Sequence, residues 1–153
     1  MKSSGLNLQL SEGNRSARGG GVFICVKNFI ASMELWEDYD FKMIAVEVKG
    51  VDPKHTWEIT GIYRAPNEDM LATERLAACT LPMQNLTKRS ITGGDLNLPQ
   101  ADWKGDAEKV SAIQACVNNL VWDNGYIRVV SGPTRGDALL DTYLLRPENS
   151  LIS

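Results

Sequence analysis

The sequence predicts a layered α/β or α+β domain, because segments rich in β-branched and aromatic residues alternate with segments of helical periodicity. Three strand-like runs come first, followed by a helix, a strand, a second helix and two more strands. No internal repeat and no coiled-coil pattern interrupts this order. We therefore expect strands and helices to pack in layers around one core.

The predicted strands are short apolar runs bounded by turn-forming residues. The first three follow one another directly, which is typical of an antiparallel meander, and the turn GVDPKH separates the second from the third. The predicted ranges are 22–26, 41–48, 56–63, 90–97, 126–130 and 138–145.

Two segments carry the apolar spacing of helices. Residues 69–86 place several apolar side chains near one face, although Pro82 kinks or ends this helix early. Residues 106–125 carry a longer apolar stripe, with Asp106 as the N-cap and Gly125 at the C-terminal end. These two segments are the predicted helices of the layered domain.

The composition is that of one globular domain, with 153 residues, 43% hydrophobic and 23% charged. No apolar run is long enough to span a membrane, and the polar N-terminus lacks the apolar core of a secretory signal. Cys25, Cys79 and Cys116 are far apart and odd in number, which predicts reduced thiols in an intracellular protein. The net charge of −3 gives no basic footprint for nucleic acid, but a local basic strip beside an acidic metal pocket stays possible.

The stretch Gly94-Asp95-Leu96-Asn97 carries the first candidate chemistry. In a strand, Asp95 and Asn97 share one face because side chains alternate with period two. A carboxylate can orient or deprotonate a water, and a neighbouring amide can donate a hydrogen bond to a phosphate oxygen without adding negative charge. The alternative is an ordinary Asx turn, which the same residues also form.

Two further clusters suit the same chemistry. Tyr63, Arg64 and Asn67 lie at the end of a predicted strand, and all three can hydrogen-bond phosphate oxygens, although this cluster taken alone favours a core tyrosine followed by a turn. Asp141 lies within the apolar run LLDTYLL, where a carboxylate is costly to bury unless it is paired or faces a solvent-filled pocket. Asp102 and Asp137 lack such a setting and are interpreted as loop charges.

The ordered motifs YRAPN, GDLNLPQADW and GPTRGDALLDTYLLRP resemble the endonuclease/exonuclease/phosphatase superfamily, and more closely the endonuclease domain of arthropod-type non-long-terminal-repeat (LINE-like) retrotransposons. The resemblance implies a DNase I-like four-layer α/β sandwich, with two mostly antiparallel sheets and outer helices. It covers residues 18–153 as a partial domain, with residues 1–17 as a flexible N-terminal segment.

The resemblance also implies roles for individual residues. Asp95 matches the aspartate that activates the attacking water, and Asn97 matches the asparagine that stabilises the transition state. Tyr63 matches a tyrosine that contacts the phosphate, and Asp141 an aspartate that holds a catalytic histidine. The substrate-binding rim would comprise Arg64, Asn67, Thr134 and Arg135. The implied reaction is Mg²⁺-dependent (or Mn²⁺-dependent) nicking of DNA in the nucleus, with a reverse transcriptase domain in cis.

The chain also departs from the family pattern. Family members carry an N-terminal strand bearing an asparagine, a strand ending in a metal-binding glutamate, and a C-terminal Ser-Asp-His strand. We expect this chain to hold the middle of the fold without them. Glu12 is not assigned to the metal because no apolar strand precedes it, and His55 lies in a turn that matches no catalytic position. Two alternatives therefore stay open: an inactive remnant that binds DNA or a protein, and an unrelated small α/β module.

Overall fold

The computed structural model describes residues 8–12, 22–38, 42–52, 55–65, 89–99, 101–103, 112–118, 125–137 and 139–147. These residues form two sheets and one helix. The elements in chain order are β1 (Leu8–Glu12), β2 (Phe23–Lys27), β3 (Ser32–Asp38), β4 (Met43–Lys49), β5 (Thr56–Tyr63), β6 (Arg89–Asp95), α1 (Ala112–Asn118), β7 (Ile127–Arg128) and β8 (Asp141–Arg146).

The larger sheet has six strands in the order β3-β4-β5-β6-β8-β7, and the smaller sheet pairs β1 with β2. Strands β5 and β6 are parallel, whereas every other neighbouring pair in the large sheet is antiparallel. The carboxyl ends of β5 and β6 therefore lie at the same edge, and β8 begins there because it runs the opposite way.

The predicted meander is wrong in its first member. The run predicted at 22–26 forms β2, which pairs with β1, and β3 takes the place beside β4. The sequence of β3, SMELWED, interleaves apolar and acidic residues, which hides it from a search for apolar runs. Acidic residues suit this position because β3 is an edge strand of the sheet.

A second difference concerns the N-terminal segment. Residues 8–12 lie within the range predicted to be flexible, yet they form β1 and pair antiparallel with β2 from Leu8↔Lys27 to Glu12↔Phe23. Polar residues at every second position weaken the apolar signal of a strand this short. The partner strand supplies the backbone hydrogen bonds that stabilise it. The domain boundary between residues 17 and 18 stays a prediction.

One face of the large sheet packs against α1 and forms the core. Val117 of α1 belongs to one buried cluster with side chains from β4, β5 and β8 and with Trp103 and Tyr126. The buried core residues are Met43, Ala45, Ile62, Leu96, Leu98, Trp103, Val117, Tyr126 and Leu144. Apolar burial on this scale contributes about 25 cal/mol per Å², and it fixes β5, β6 and β8 relative to one another.

The opposite face of the large sheet packs in part against the small sheet. A Cβ added at Gly61 of β5 would lie 2.5 Å from Val22 Cγ2, so the absence of a side chain at this position lets the segment leading into β2 approach closely. Ile24 of β2 packs near the same point. The two sheets therefore face each other near the middle of β5.

The helix predicted at 106–125 is represented in the described residues by α1 at its centre, and the helix predicted at 69–86 lies outside them. The structure is a sheet-rich α/β arrangement with two sheets. Its four-layer form stays a prediction. None of the helices in the described part of the chain has the length and apolar character needed to cross a membrane.

Candidate functional site

Three of the predicted catalytic residues lie in one row across adjacent strands. The pairing register places Tyr63 of β5 opposite Asp95 of β6, and Asp95 opposite Asp141 of β8. Paired residues of neighbouring strands point to the same face of a sheet, and neighbouring strands are about 5 Å apart. We name Tyr63, Asp95 and Asp141 the site row. Its three side chains share the face opposite the α1 core and are half-buried.

The two aspartates of the site row form a pair that is unfavourable for the stability of the fold. Asp95 and Asp141 are directly opposite on antiparallel strands, where two like charges repel each other. Arg135, in the loop before β8, places Nη2 4.0 Å from Asp95 Oδ2, and its side chain is 67% exposed whereas that of Asp95 is 21% exposed. The arrangement therefore concentrates negative charge at the sheet edge beside one solvent-exposed cation.

Arg64 and Asn97 form a reciprocal clasp between the ends of β5 and β6. Arg64 Nη1 donates to the Asn97 carbonyl oxygen at 3.0 Å, and Asn97 Nδ2 donates to the Arg64 carbonyl oxygen at 2.8 Å. Both residues are buried, with exposed fractions of 7% and 5%. The sequence predicts that Arg64 binds substrate and that Asn97 stabilises a transition state. In the structure, their side chains hold the backbone of the site.

This clasp sets the position of the Asp95 carboxylate. The backbone N–H of Asn97 donates to Asp95 Oδ1 at 3.2 Å, and the backbone N–H of Arg64 donates to the Asp95 carbonyl oxygen at 2.9 Å. Asn97 adopts a left-handed conformation with φ of 46°, which asparagine tolerates better than most residues. Gly94, with φ of 143°, precedes the carboxylate at a position where a Cβ would collide with the Ile62 carbonyl.

Thr134 organises the loop on the other side of the row. Its Oγ1 accepts hydrogen bonds from the backbone N–H groups of Leu140 and Asp141, each at 3.0 Å. The threonine therefore fixes the point at which β8 begins and carries its neighbour Arg135 to Asp95. Of the predicted rim residues, Arg64 lies inside the clasp, Thr134 and Arg135 lie beside the row, and Asn67 lies outside the described residues.

Lys42 is a site residue that the sequence analysis missed. Its carbonyl oxygen accepts a hydrogen bond from the Tyr63 backbone N–H at 3.1 Å, which places it beside Tyr63 just before β4 begins. Its Nζ lies 5.0 Å from the centroid of the Tyr63 ring, within the range of a cation–π contact. The sequence shows only a lysine at a strand start, so the pairing of β4 with β5 is needed to find it.

Comparisons with known proteins yield a structural match. Neither protein-family models nor curated proteins match the sequence. Among solved structures, the endonuclease domain of TRAS1, a telomere-specific non-LTR retrotransposon, matches with a TM-score of 0.65 and 15% sequence identity. The match covers 91% of this chain and 67% of that domain. The chain has the fold of this retrotransposon endonuclease domain.

Glu12 lies at the end of a strand. The sequence analysis set Glu12 aside because no apolar strand precedes it, whereas the structure places Glu12 as the last residue of β1. Its register partner is Phe23, and the adjacent Val22 packs over Gly61, two residues from Tyr63 on β5. The end of β1 therefore lies at the part of the small sheet that approaches the site row.

The acidic residues of the site row are Asp95 and Asp141. Within the described ranges, no group of three or more histidine, cysteine or acidic side chains could hold a metal. Mg²⁺ is commonly bound by one or two carboxylates together with substrate phosphates and waters, so Asp95 and Asp141 fit that pattern. His55 is exposed in the turn before β5, at the opposite end of this strand from Tyr63.

Proposed function

We propose that the chain is a divalent-metal-dependent phosphodiesterase of the retrotransposon endonuclease type, which nicks one strand of duplex DNA. The observation that carries the proposal is the site row, in which Tyr63, Asp95 and Asp141 align at the edge where β5 and β6 end. Two facing carboxylates that are half-exposed beside a phenol and a guanidinium suit a cation and a phosphate. The endonuclease fold supports this reading.

The side chains divide the reaction between them. Asp95 orients and deprotonates the attacking water, since its Oδ1 is held by the Asn97 N–H and its Oδ2 faces solvent and Arg135. Tyr63 donates its phenolic proton as a hydrogen bond to a phosphate oxygen. Arg135 exchanges its contact with Asp95 for one with the phosphate, for which a guanidinium has a matching fork of donors.

The proposal includes Mg²⁺ or Mn²⁺, for which the site-row aspartates would supply ligands together with waters and the substrate phosphate. When bound, the ion would neutralise charge on the phosphate. The proposal also includes a reverse transcriptase domain in cis, which would use the 3′-hydroxyl of the nick as a primer, and a reaction in the nucleus.

A plasmid-nicking assay tests the proposal. Supercoiled DNA is incubated with the chain and Mg²⁺, and nicked circles are counted against time. The Asp95→Asn variant keeps an oxygen acceptor for the Asn97 N–H but loses the base, so its rate should fall by about 10²–10⁴-fold. Asp137→Asn, which changes an exposed loop carboxylate, is the matched control and should nick like the wild type. Equal rates for wild type and Asp95→Asn would contradict the proposal.

A second candidate function is DNA binding without cleavage. It is favoured by the clasp, which engages the side chains of Arg64 and Asn97 internally, and by the place of His55 at the far end of β5. A titration of duplex DNA at several salt concentrations distinguishes the two functions from an unrelated module. Salt-dependent affinity without nicking supports binding alone, and no affinity at low salt rejects both functions.

A further inference from the structure

The site row continues onto a fourth strand through Lys42. The hydrogen bond from the Tyr63 N–H to the Lys42 carbonyl extends the pairing of β4 and β5 by one position beyond Met43↔Ile62. Lys42, Tyr63, Asp95 and Asp141 therefore follow one another along the same edge of the sheet. Lys42 is separated from Asp95 by two strand spacings, which is about 10 Å.

The backbone conformation of Lys42 is uncommon for a residue with a side chain. Its φ is 47°, in the left-handed region that residues other than glycine adopt at a cost. Glycine or asparagine would adopt this φ with less strain. The strained backbone directs a long cationic side chain to the Tyr63 ring, where Nζ is held 5.0 Å from the ring centroid. A cation is thus kept at this place at a cost to stability.

The charge pattern along the row identifies the ligand chemistry. The chain has a net charge of −3, and the two aspartates of the row repel a polyanion, so a cation beyond Arg135 favours a nucleic-acid backbone along the edge. A lysine ammonium is a compact point charge that suits a phosphate, and its contact with the tyrosine ring reduces the freedom lost on binding. Successive phosphates of one strand are about 3.4 Å apart along the helix axis.

We propose that Lys42 forms a second phosphate-binding position, which holds a backbone phosphate within about three nucleotides of the phosphate at Asp95. Lys42 thereby aligns the DNA strand with the row, which runs from β8 to β4. The inference rests on the proposed function for the identity of the ligand as a DNA strand. It adds a contact outside the reacting phosphate, which affects binding rather than the chemical step.

Salt-dependent binding of duplex DNA to the full chain tests the inference. Lys42→Met removes the charge, and Lys42→Arg keeps it. Lys42→Gly also removes the charge but relieves the strained φ, so an effect that it shares with Lys42→Met does not come from a folding defect. The matched control is Lys27→Met on β2, because Lys27 also lies over an aromatic ring, with Nζ 5.6 Å from the centroid of Phe29. Each variant is titrated with DNA at four or more salt concentrations, and plasmid nicking is measured on the same samples.

Loss of one phosphate contact should reduce the slope of log K against log salt by about 0.9 in Lys42→Met and Lys42→Gly. We expect affinity at low salt to fall about three- to tenfold, with Lys42→Arg and Lys27→Met close to the wild type. A slope in Lys42→Met equal to that of Lys27→Met overturns the inference, as does a wild type without salt-dependent affinity. A wild type that binds with the expected slopes and never nicks supports Lys42 and contradicts the phosphodiesterase.

Discussion

Two polar rows cross the same strands of the large sheet, and their surroundings differ. The site row lies half-exposed at the edge where β5 and β6 end. The second row lies five residues away along β5, β6 and β8, on the opposite face, and we name it the buried row. Its members are Glu47, Glu58, Ser90 and Arg146, with exposed fractions of 9%, 4%, 0% and 1%.

The buried row contains charges of both signs within the core. Arg146 lies with its guanidinium 5.5 Å from the centroid of the Tyr126 ring, and Ser90 Oγ donates to the Tyr126 hydroxyl oxygen at 2.9 Å. Buried charges are tolerated only where opposite charges and hydrogen bonds compensate their desolvation.

Both rows contain two facing carboxylates, Glu47 with Glu58 in the buried row and Asp95 with Asp141 in the site row. They differ in their cation, which is buried in the first row and comes from an exposed loop in the second. We propose that the buried row stabilises the fold, whereas the site row serves a ligand.

The largest expected effect on stability comes from breaking the buried row. Arg146→Met removes the cation from a buried set that includes two glutamates, and we expect the free energy of unfolding to fall by about 3–5 kcal/mol. Chemical denaturation measures it. Arg135→Met is the matched control, since Arg135 belongs to the site and is 67% exposed, and its loss should change stability by less than about 1 kcal/mol. Equal losses of stability in Arg146→Met and Arg135→Met would contradict the distinction between the buried row and the site row.

The next effect concerns the clasp behind the site row. Asn97→Ala loses the hydrogen bond to the Arg64 carbonyl and leaves a residue poorly suited to a φ of 46°, so we expect a loss of about 2 kcal/mol. Asn97→Gly loses the same hydrogen bond but accepts this φ, and its loss should be about 1 kcal/mol. If Asn97→Gly is as stable as the wild type, the amide contributes nothing to the clasp.

A smaller effect is expected at the loop beside the row. Thr134→Val removes the oxygen that accepts from the Leu140 and Asp141 N–H groups, at a cost of about 1 kcal/mol, whereas Thr134→Ser keeps this oxygen and should stay close to the wild type. Amide hydrogen exchange at Leu140 and Asp141 provides the measurement. Protection of both amides in Thr134→Val equal to that in the wild type would show that Thr134 does not hold the start of β8.

Local sequence patterns predict the central strands well. The range predicted for β5, 56–63, coincides with the strand, because its run of β-branched and aromatic residues ends at turn-forming residues on both sides. The start of β6 and the end of β8, each to within one residue, and the presence of a helix around 112–118 are also confirmed, whereas β8 begins at Asp141 and not at the predicted residue 138. Edge strands such as β3 are not predicted from apolar runs. They carry charged residues, which prevent association with other chains.

The geometry of the site depends on contacts that local patterns do not contain. The clasp joins residues separated by 33 positions in the sequence. Lys42 and Tyr63 meet only because β4 pairs with β5. The sequence identified Asp95 and Asp141 from their residue types and flanking apolar runs, whereas the repulsive pairing between them follows from the register of β6 and β8. Residue types therefore predict which chemistry the site can perform. Strand pairing determines which residues lie close enough together to take part in it.

The central claim is that the facing carboxylates of the site row are kept for a reaction and against stability. Replacing Asp141 by asparagine tests it most directly, with the free energy of unfolding and the Mg²⁺-dependent nicking rate measured on the same preparation. We expect stability to rise by about 0.2–1 kcal/mol, since the repulsion with Asp95 is removed, and nicking to fall by at least about 100-fold. A variant that loses stability and nicks at the wild-type rate would contradict the account.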